Sequence, residues 1–200
     1  MPQTLLSIML PTTVDRRKKF YVLLESILKQ VNDCNIQEEV EILIDEDEKQ
    51  KSIGKKRQDL LERANGVFVV GCDSDDSLSD TYISEIINAI KNNPDTDHIG
   101  FLEKCNINGE ESISIFSIRH QVWDENKDGY DHIRCANPKS VIRRDIAIQV
   151  GFEDSRFGED RIFSEKVTPL LKTEVFIEKQ LYFYNYTSTP HNERYGFNKD

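Results

Sequence analysis

The feature that most constrains this chain is a regular alternation in its first half: a short apolar run, then a run of helical period, three times over. Residues 5–10 (LLSIML) are apolar and bounded by Pro11, the pattern of a buried strand. Residues 16–31 then place Phe20, Leu23, Leu24, Ile27, Leu28 and Val31 at helical spacing. Residues 40–44 form a second strand that runs into Asp45, Glu46, Asp47 and Glu48, and residues 54–64 a short helix. Residues 67–72 (VFVVGC) are a third strand. Residues 80–91 carry Ile83, Ile86, Ile87 and Ile90 on one helix face before Asn92-Asn93-Pro94 ends it. Successive β–α units of this kind imply parallel strands covered by helices through right-handed crossovers. The expected class is α/β, Rossmann-like, with a mostly parallel central sheet flanked by helices.

The second half is less regular. Residues 99–102 and 113–118 read as strands, 145–150 and 160–167 as helices, and 174–178 and 181–184 as two late strands. Residues 120–137 read as a polar stretch bearing Asp and Gly. No internal repeat, low-complexity segment or Pro/Gly-rich linker divides the chain, so a single domain over residues 1–200 is expected, with a regular half, 1–92, and an irregular half, 93–200.

Charge narrows the partners. The chain holds 26 Lys+Arg against 36 Asp+Glu, a formal net charge of −10. That balance disfavours a sequence-independent duplex DNA binder or a membrane-surface protein, and an anionic ligand would need local cations or a metal ion. No apolar run approaches the ~18 residues of a membrane span, and the first residues lack the charged and apolar regions of a secretion leader. Cys34, Cys72, Cys105 and Cys135 are far apart, with no C-x-x-C pair. They are expected as free thiols in a reducing compartment, hence a cytoplasmic location.

In open α/β sheets ligands sit at the carboxyl ends of strands. Here those ends carry Pro11-Thr12-Thr13, Asp45-Glu46-Asp47 and Asp73-Ser74-Asp75-Asp76. Carboxylates clustered as tightly as the last group repel one another and attract a cation. Hard ions such as Mg²⁺ and Mn²⁺ take oxygen ligands and share them with a substrate's phosphates. A solvated turn capping the next helix would use the same residues.

Five of these pieces occur in an order that resembles the nucleotide-sugar-binding half of GT-A glycosyltransferases of the family 2 type. They are Leu10-Pro11-Thr12-Thr13, Ile44-Asp45, Lys56-Arg57-Gln58, Ala64-Asn65-Gly66-Val67 and Asp73-Ser74-Asp75, spread over about the first 90 residues. The resemblance implies a nucleotide-diphospho-sugar transferase fold and a donor pocket built from Pro11, Thr12, Thr13, Asp45, Lys56, Arg57, Asp73 and Ser74. It also implies Mn²⁺ or Mg²⁺ at Asp75 and Asp73. For Asp45 a strand-end turn role stands equally. Lys55, Lys56 and Arg57 lie at a helix N-terminus, where cations oppose the helix dipole; an anionic ligand would explain them.

The likeness continues through Asn137-Pro138-Lys139-Ser140-Val141-Ile142-Arg143-Arg144, Gly151-Phe152 and Phe157-Gly158-Glu159-Asp160, which is similar to the acceptor side of small, soluble family 2 enzymes. It is poorest between residues 103 and 134. It implies that a carboxylate of the Glu-Asp pair is the general base, Asp160 first and Glu159 second, and that transfer inverts the anomeric carbon. Acidic residues also simply favour a helix start. His191, in the polar tail, is a candidate metal ligand or a plain loop histidine. Asp124-Glu125-Asn126-Lys127-Asp128-Gly129 matches the start of a calcium-binding EF-hand loop, but position twelve is Cys135 instead of Glu. Trp123 beside it could stack on an acceptor or anchor the core.

The function expected is a metal-dependent transfer of a sugar from a nucleotide-sugar donor to an acceptor hydroxyl. UDP is the commonest family choice of carrier. The acceptor could be a glycan, a lipid-linked sugar, a protein side chain or a modified nucleobase. A nucleotidyltransferase would need a Gly-rich loop after the first strand, which Pro11-Thr12-Thr13-Val14 does not provide. A non-catalytic metal- or sugar-nucleotide-binding module would keep Asp73 and Asp75 and need no base.

Overall fold

The computed structural model describes residues 4–187. The chain opens with β1 (Leu6–Thr13), a 3-10 turn (Val14–Arg16), α1 (Arg17–Asp33), β2 (Val40–Asp47), α2 (Ile53–Arg63), β3 (Phe68–Gly71), β4 (Ser77–Leu78) and α3 (Tyr82–Asn92). It continues with β5 (His98–Ile107), β6 (Glu110–Phe116), β7 (Asp124–Lys127), β8 (Tyr130–Arg134), β9 (Val141–Arg143), α4 (Arg144–Val150), α5 (Glu159–Val167), a second 3-10 turn (Thr168–Leu170) and β10 (Glu174–Tyr186). All ten strands join one sheet, ordered β2-β1-β3-β9-β5-β6-β8-β7, with β10 pairing β5 and β4.

The sheet is mostly parallel because its two longest registers are parallel. β1 pairs β2 from Leu6 beside Val40 to Thr13 beside Asp47, and β10 pairs β5 from Glu174 beside His98 to Tyr186 beside Ile107. Antiparallel pairing comes from β9, inserted between β3 and β5, from the hairpins β5–β6 and β7–β8, and from short β4.

Alternation along the strands sorts side chains onto two covered faces. On one, Leu6, Ile8, Leu10, Phe68 and Val70 pack with Phe20, Leu23 and Ile27 of α1 and Ile83, Ile86 and Ile90 of α3. On the other, Met9, Val69 and Ile142 pack with Leu60 and Leu61 of α2, Ala147 of α4 and Phe163 and Val167 of α5. Burial on both faces is why these strands read as continuous apolar runs. Among the described residues no helix is long and apolar enough to cross a membrane.

Three expectations differ from what the chain does. β1 continues through Pro11, which lies beside Asp45. Its pairing with β3 ends at Met9 beside Gly71, so Pro11 has a strand partner on one side only, an edge setting in which proline is tolerated. The two late strands are one strand, β10, with register irregularities between Ile177 and Tyr182. The polar stretch after residue 120 contains a hairpin. Lys127 pairs Tyr130 across Asp128 and Gly129, both with positive φ (55° and 85°), as a two-residue Asp-Gly turn requires. The hexapeptide resembling an EF-hand loop is spent on that hairpin.

α2 is fastened to the segment before α5. The Lys55 N–H donates to the Ser52 Oγ cap (2.9 Å), and the Ser52 hydroxyl donates to Asp154 (2.5 Å). The Gly54 N–H donates to the Ser155 carbonyl (3.1 Å), and a Cβ on Gly54 would lie 1.9 Å from the Glu153 carbonyl oxygen. In an exposed helix, Gly→Ala stabilises by up to ~1 kcal/mol. Here Gly54→Ala is expected to reverse that sign and destabilise by ~1–3 kcal/mol, the usual effect of overpacking, measured by urea unfolding.

Candidate functional site

The site forms where β1, β2 and β3 end and α2 and α5 begin. After β3 the chain turns tightly, with the Asp76 N–H donating to the Asp73 carbonyl (3.1 Å). Tyr182 of β10 closes the turn from below: its hydroxyl accepts from the Asp73 N–H (3.0 Å) and donates to Asp76 Oδ2 (2.8 Å). Asp76 is therefore buried, whereas the Asp73 and Asp75 side chains are partly exposed (25% and 30%), Asp75 pairing with exposed Arg16 (3.0 Å).

Arg57 joins the two halves of the chain. One guanidinium nitrogen donates to Asp73 Oδ1 and another to Glu159 Oε1, each at 2.7 Å, with Arg57 only 6% exposed. Burial disfavours the charge on Arg57, but Asp73, Glu159 and the nearby Asp160 more than offset it and raise its pKa. Burial likewise pushes Asp73 up, yet Arg57 and Lys139 outweigh it and hold the carboxyl below its usual range. For Glu159 burial wins and raises the pKa, with Arg57 opposing.

The residues expected at the donor pocket divide into those the fold brings together and those it sets apart. Asp73, Arg57 and Glu159 form one cluster. Lys56, 3% exposed, is instead tied to the Thr12 carbonyl and to Asp47. Burial raises the Asp47 pKa, but N–H groups of Lys51 and Lys49 and the Lys56 ammonium prevail and lower it to about 2. Both cations at the start of α2 are thus placed against the helix dipole because buried carboxylates receive them. Asp45 is buried and pairs with Lys51 (2.8 Å), which also holds Asp59 (2.9 Å). Thr13 donates to Asp15 (2.6 Å). Thr12 Oγ1, Ser74 Oγ and Arg57 Nε are buried without a hydrogen-bond partner among the described residues. Native proteins rarely leave such atoms unpaired. Asp160 is half-buried, and its carboxylate accepts only the N–H of Arg161 (2.8 Å). His191 lies outside the described residues.

Sequence reasoning missed a second cation. Lys139, in the turn before β9, lies 3.2 Å from Asp76 Oδ2, 3.2 Å from Glu103 Oε1 and 3.9 Å from Asp73 Oδ2. Burial lowers its pKa, but Glu103, Asp76 and Asp73 raise it well above the ordinary lysine value. Burial also lifts Asp76 to about 6, against the pull of Lys139. The available signal was a lone lysine between Ala136 and the apolar Val141-Ile142. Trp123 lies beside α5, its ring 4.7 Å from the Arg134 guanidinium and 5.8 Å from that of Arg161.

Among the described residues no three His, Cys, Asp or Glu side chains assemble into a metal site. Asp73 is engaged by buried Arg57 and Asp76 by Lys139, so among the described residues Asp75 is the turn carboxylate paired only with an exposed cation. Mg²⁺ and Mn²⁺ commonly bind through one or two carboxylates plus substrate phosphates, and Asp75 fits that kind of site.

No family model matches the chain, and no curated protein matches it. Solved structures do. S. aureus TarS 1–349 in complex with UDP-GlcNAc is 16% identical, with a TM-score of 0.65 over 95% of this chain and 61% of that one. The same fragment in complex with UDP gives 0.62 at 16% identity, over 95% and 62%. The mannosyltransferase PcManGT from Pyrobaculum calidifontis, in complex with GDP-Man and Mn²⁺, gives 0.55 at 11% identity, over 92% and 57%. This chain thus spans less than two thirds of the length of these structures. At such identities the likeness concerns the fold, and it agrees with the GT-A-like α/β fold expected from the sequence.

Proposed function

We propose that this chain is a glycosyltransferase that moves a sugar from a nucleotide-sugar donor, a UDP-sugar first, to an acceptor hydroxyl with inversion. The observation that carries the reading is the Arg57 bridge. It sets a carboxylate of the β3 turn and the first residue of α5 on one guanidinium, so that acids of the proposed donor and acceptor halves converge on one cation. The fold supports it, since the matched structures hold UDP, UDP-GlcNAc and GDP-Man. The unpaired Thr12 Oγ1 and Ser74 Oγ at two strand ends support it as well, as groups able to meet a nucleotide and its sugar. In this reading residues 1–92 and 93–200 are the donor and acceptor halves of one domain. The described cysteines, all free thiols, suit a cytoplasmic setting.

Asp75 and the donor phosphates would hold Mn²⁺ or Mg²⁺, which when bound supplies positive charge to the leaving diphosphate. Arg16, paired with Asp75, stands where it can turn to the same phosphates. Asp73, kept ionised by Arg57, accepts hydrogen bonds from donor hydroxyls and is a brace more than a metal ligand. Pro11, Thr12, Thr13 and Asp45 line the base and ribose end. Lys56 and Arg57 shape the pocket from behind, since both are buried in ion pairs. An acceptor hydroxyl needs a base, and Asp160 is the carboxylate free to act, because Glu159 is pinned to Arg57.

Two experiments test this. In thermal melts with Mn²⁺ and a panel of UDP- and GDP-sugars, at least one donor is expected to stabilise the protein, and Asp75→Asn to abolish the metal-dependent part of that shift. Asp160→Asn should keep donor binding and slow transfer by ~10²–10⁴-fold, the usual worth of a general base. A panel with no shift at all would sink the reading. Separately, Arg57→Met leaves buried Glu159 without its cation and Asp73 with only Lys139 at 3.9 Å, and is expected to cost ~3–5 kcal/mol in urea unfolding. Adding Glu159→Gln should recover part of that loss, which a mere packing defect would not.

A further inference from the structure

We propose that Lys139 is a positioning residue, a built-in cation that holds Asp73, Asp76 and Glu103 so that Asp75 alone is offered to an external cation. This rests on reading Asp75 as the carboxylate that meets the donor's metal ion. The Lys139 ammonium reaches carboxylates from two separate segments, the turn after β3 and the middle of β5. An ammonium has three donors and no acceptor, which suits three acidic neighbours. Its charge also lies 4.2 Å from the Tyr184 ring centroid and 4.8 Å from that of Tyr182, so aromatic faces cover the side that carboxylates leave open.

The mount is stiff. The Lys139 N–H donates to Asn137 Oδ1 (3.0 Å), the Ser140 N–H to the Asn137 carbonyl (2.8 Å), and the Gly71 N–H of β3 to the Pro138 carbonyl (2.7 Å). Behind the turn, Ser140 Oγ meets His98 Nε2 at 2.7 Å, and His98 Nδ1 meets Glu174 Oε1 at 2.9 Å. Ser140, His98 and Glu174 come from the turn, β5 and β10, so three segments fix where the lysine starts. The result is a division of labour within the acidic turn. Asp73 is held by Arg57 and Lys139. Asp76 is held by Lys139, by the Tyr182 hydroxyl and by the Asn185 N–H (3.3 Å). Asp75 has only a surface arginine.

The test removes the cation and asks what replaces it. Mn²⁺ binding to the full chain is followed by electron paramagnetic resonance, without nucleotide and then with UDP. Wild type is expected to take up Mn²⁺ weakly until UDP is added. In Lys139→Met the uncompensated Asp76 and Glu103 should capture Mn²⁺ without nucleotide at least ~10-fold more tightly, and Mn²⁺-dependent UDP binding should weaken by a similar factor. Lys139→Arg should stay near wild type, and Asp76→Asn added to Lys139→Met should remove the extra uptake. A folded Lys139→Met protein with wild-type affinities for Mn²⁺ and UDP overturns the proposal. If Lys139→Met does not fold, recovery of folding by the added Asp76→Asn supports charge compensation, and failure to recover overturns it. Wild type that binds no UDP overturns the choice of UDP as carrier, while the nucleotide-free Mn²⁺ arm still decides the role of Lys139.

Discussion

One buried guanidinium determines how the rest of this site can be arranged. Arg57 leaves α2, which is fixed at its start by Gly54 against the Glu153–Ser155 backbone, and reaches Asp73 and Glu159. Glu159 follows Gly158, whose φ of 74° turns the chain sharply into α5. Glu159 could not sit at its depth as a carboxylate without the cation, and the cation is sustained there by both acids. A buried triad of this kind is weak evidence for stability, because desolvation consumes much of its attraction. Its effect here is geometric: it sets α2, the β3 turn and α5 in one relation.

The formal charge of −10 first suggests a surface hostile to anions. The fold changes that reading by sorting the acids into answered and unanswered ones. Asp47 is answered by Lys56, Asp45 and Asp59 by Lys51, Asp73 by Arg57, and Asp76 and Glu103 by Lys139. Asp75 has only a solvent-screened pair with Arg16, and exposed pairs of that type are worth little. Asp160 has only a bond to the next residue's N–H. Among the described residues around Arg57, Asp75 and Asp160 are thus the carboxylates with the fewest partners, one in the turn after β3 and one at the start of α5.

The first half of the fold was legible because β1 and β3 are buried on both faces and each helix on one, so apolar runs alternate with helical period. The second half was not, for a physical reason in each case. β7 and β8 lie at the far edge of the sheet, where solvent permits a polar sequence such as Asp124–Lys127 to pair as strand. β9 is three residues long and inserts antiparallel between β3 and β5, an arrangement no local pattern encodes. The site was legible as residue types in order, not as pairings. The partners of Lys56 and Arg57 include groups 44 and 102 residues away, so sequence reasoning could notice the misplaced cations without naming what receives them. Lys139 was passed over because its turn follows a stretch read as polar.

The Glu159–Asp160 pair shows most clearly what three dimensions add. As neighbours in sequence the two acids are interchangeable candidates for a base, and both favour a helix start. Adjacent positions on an α-helix point about 100° apart. Once Glu159 is drawn inward to Arg57, Asp160 must project away from it, toward the half-exposed side of α5. The same fastening that removes Glu159 as a mobile base therefore fixes the direction of Asp160. A base needs both a free lone pair and a fixed aim, and in the function proposed above Asp160 would owe its aim to the neighbour that gave up its freedom.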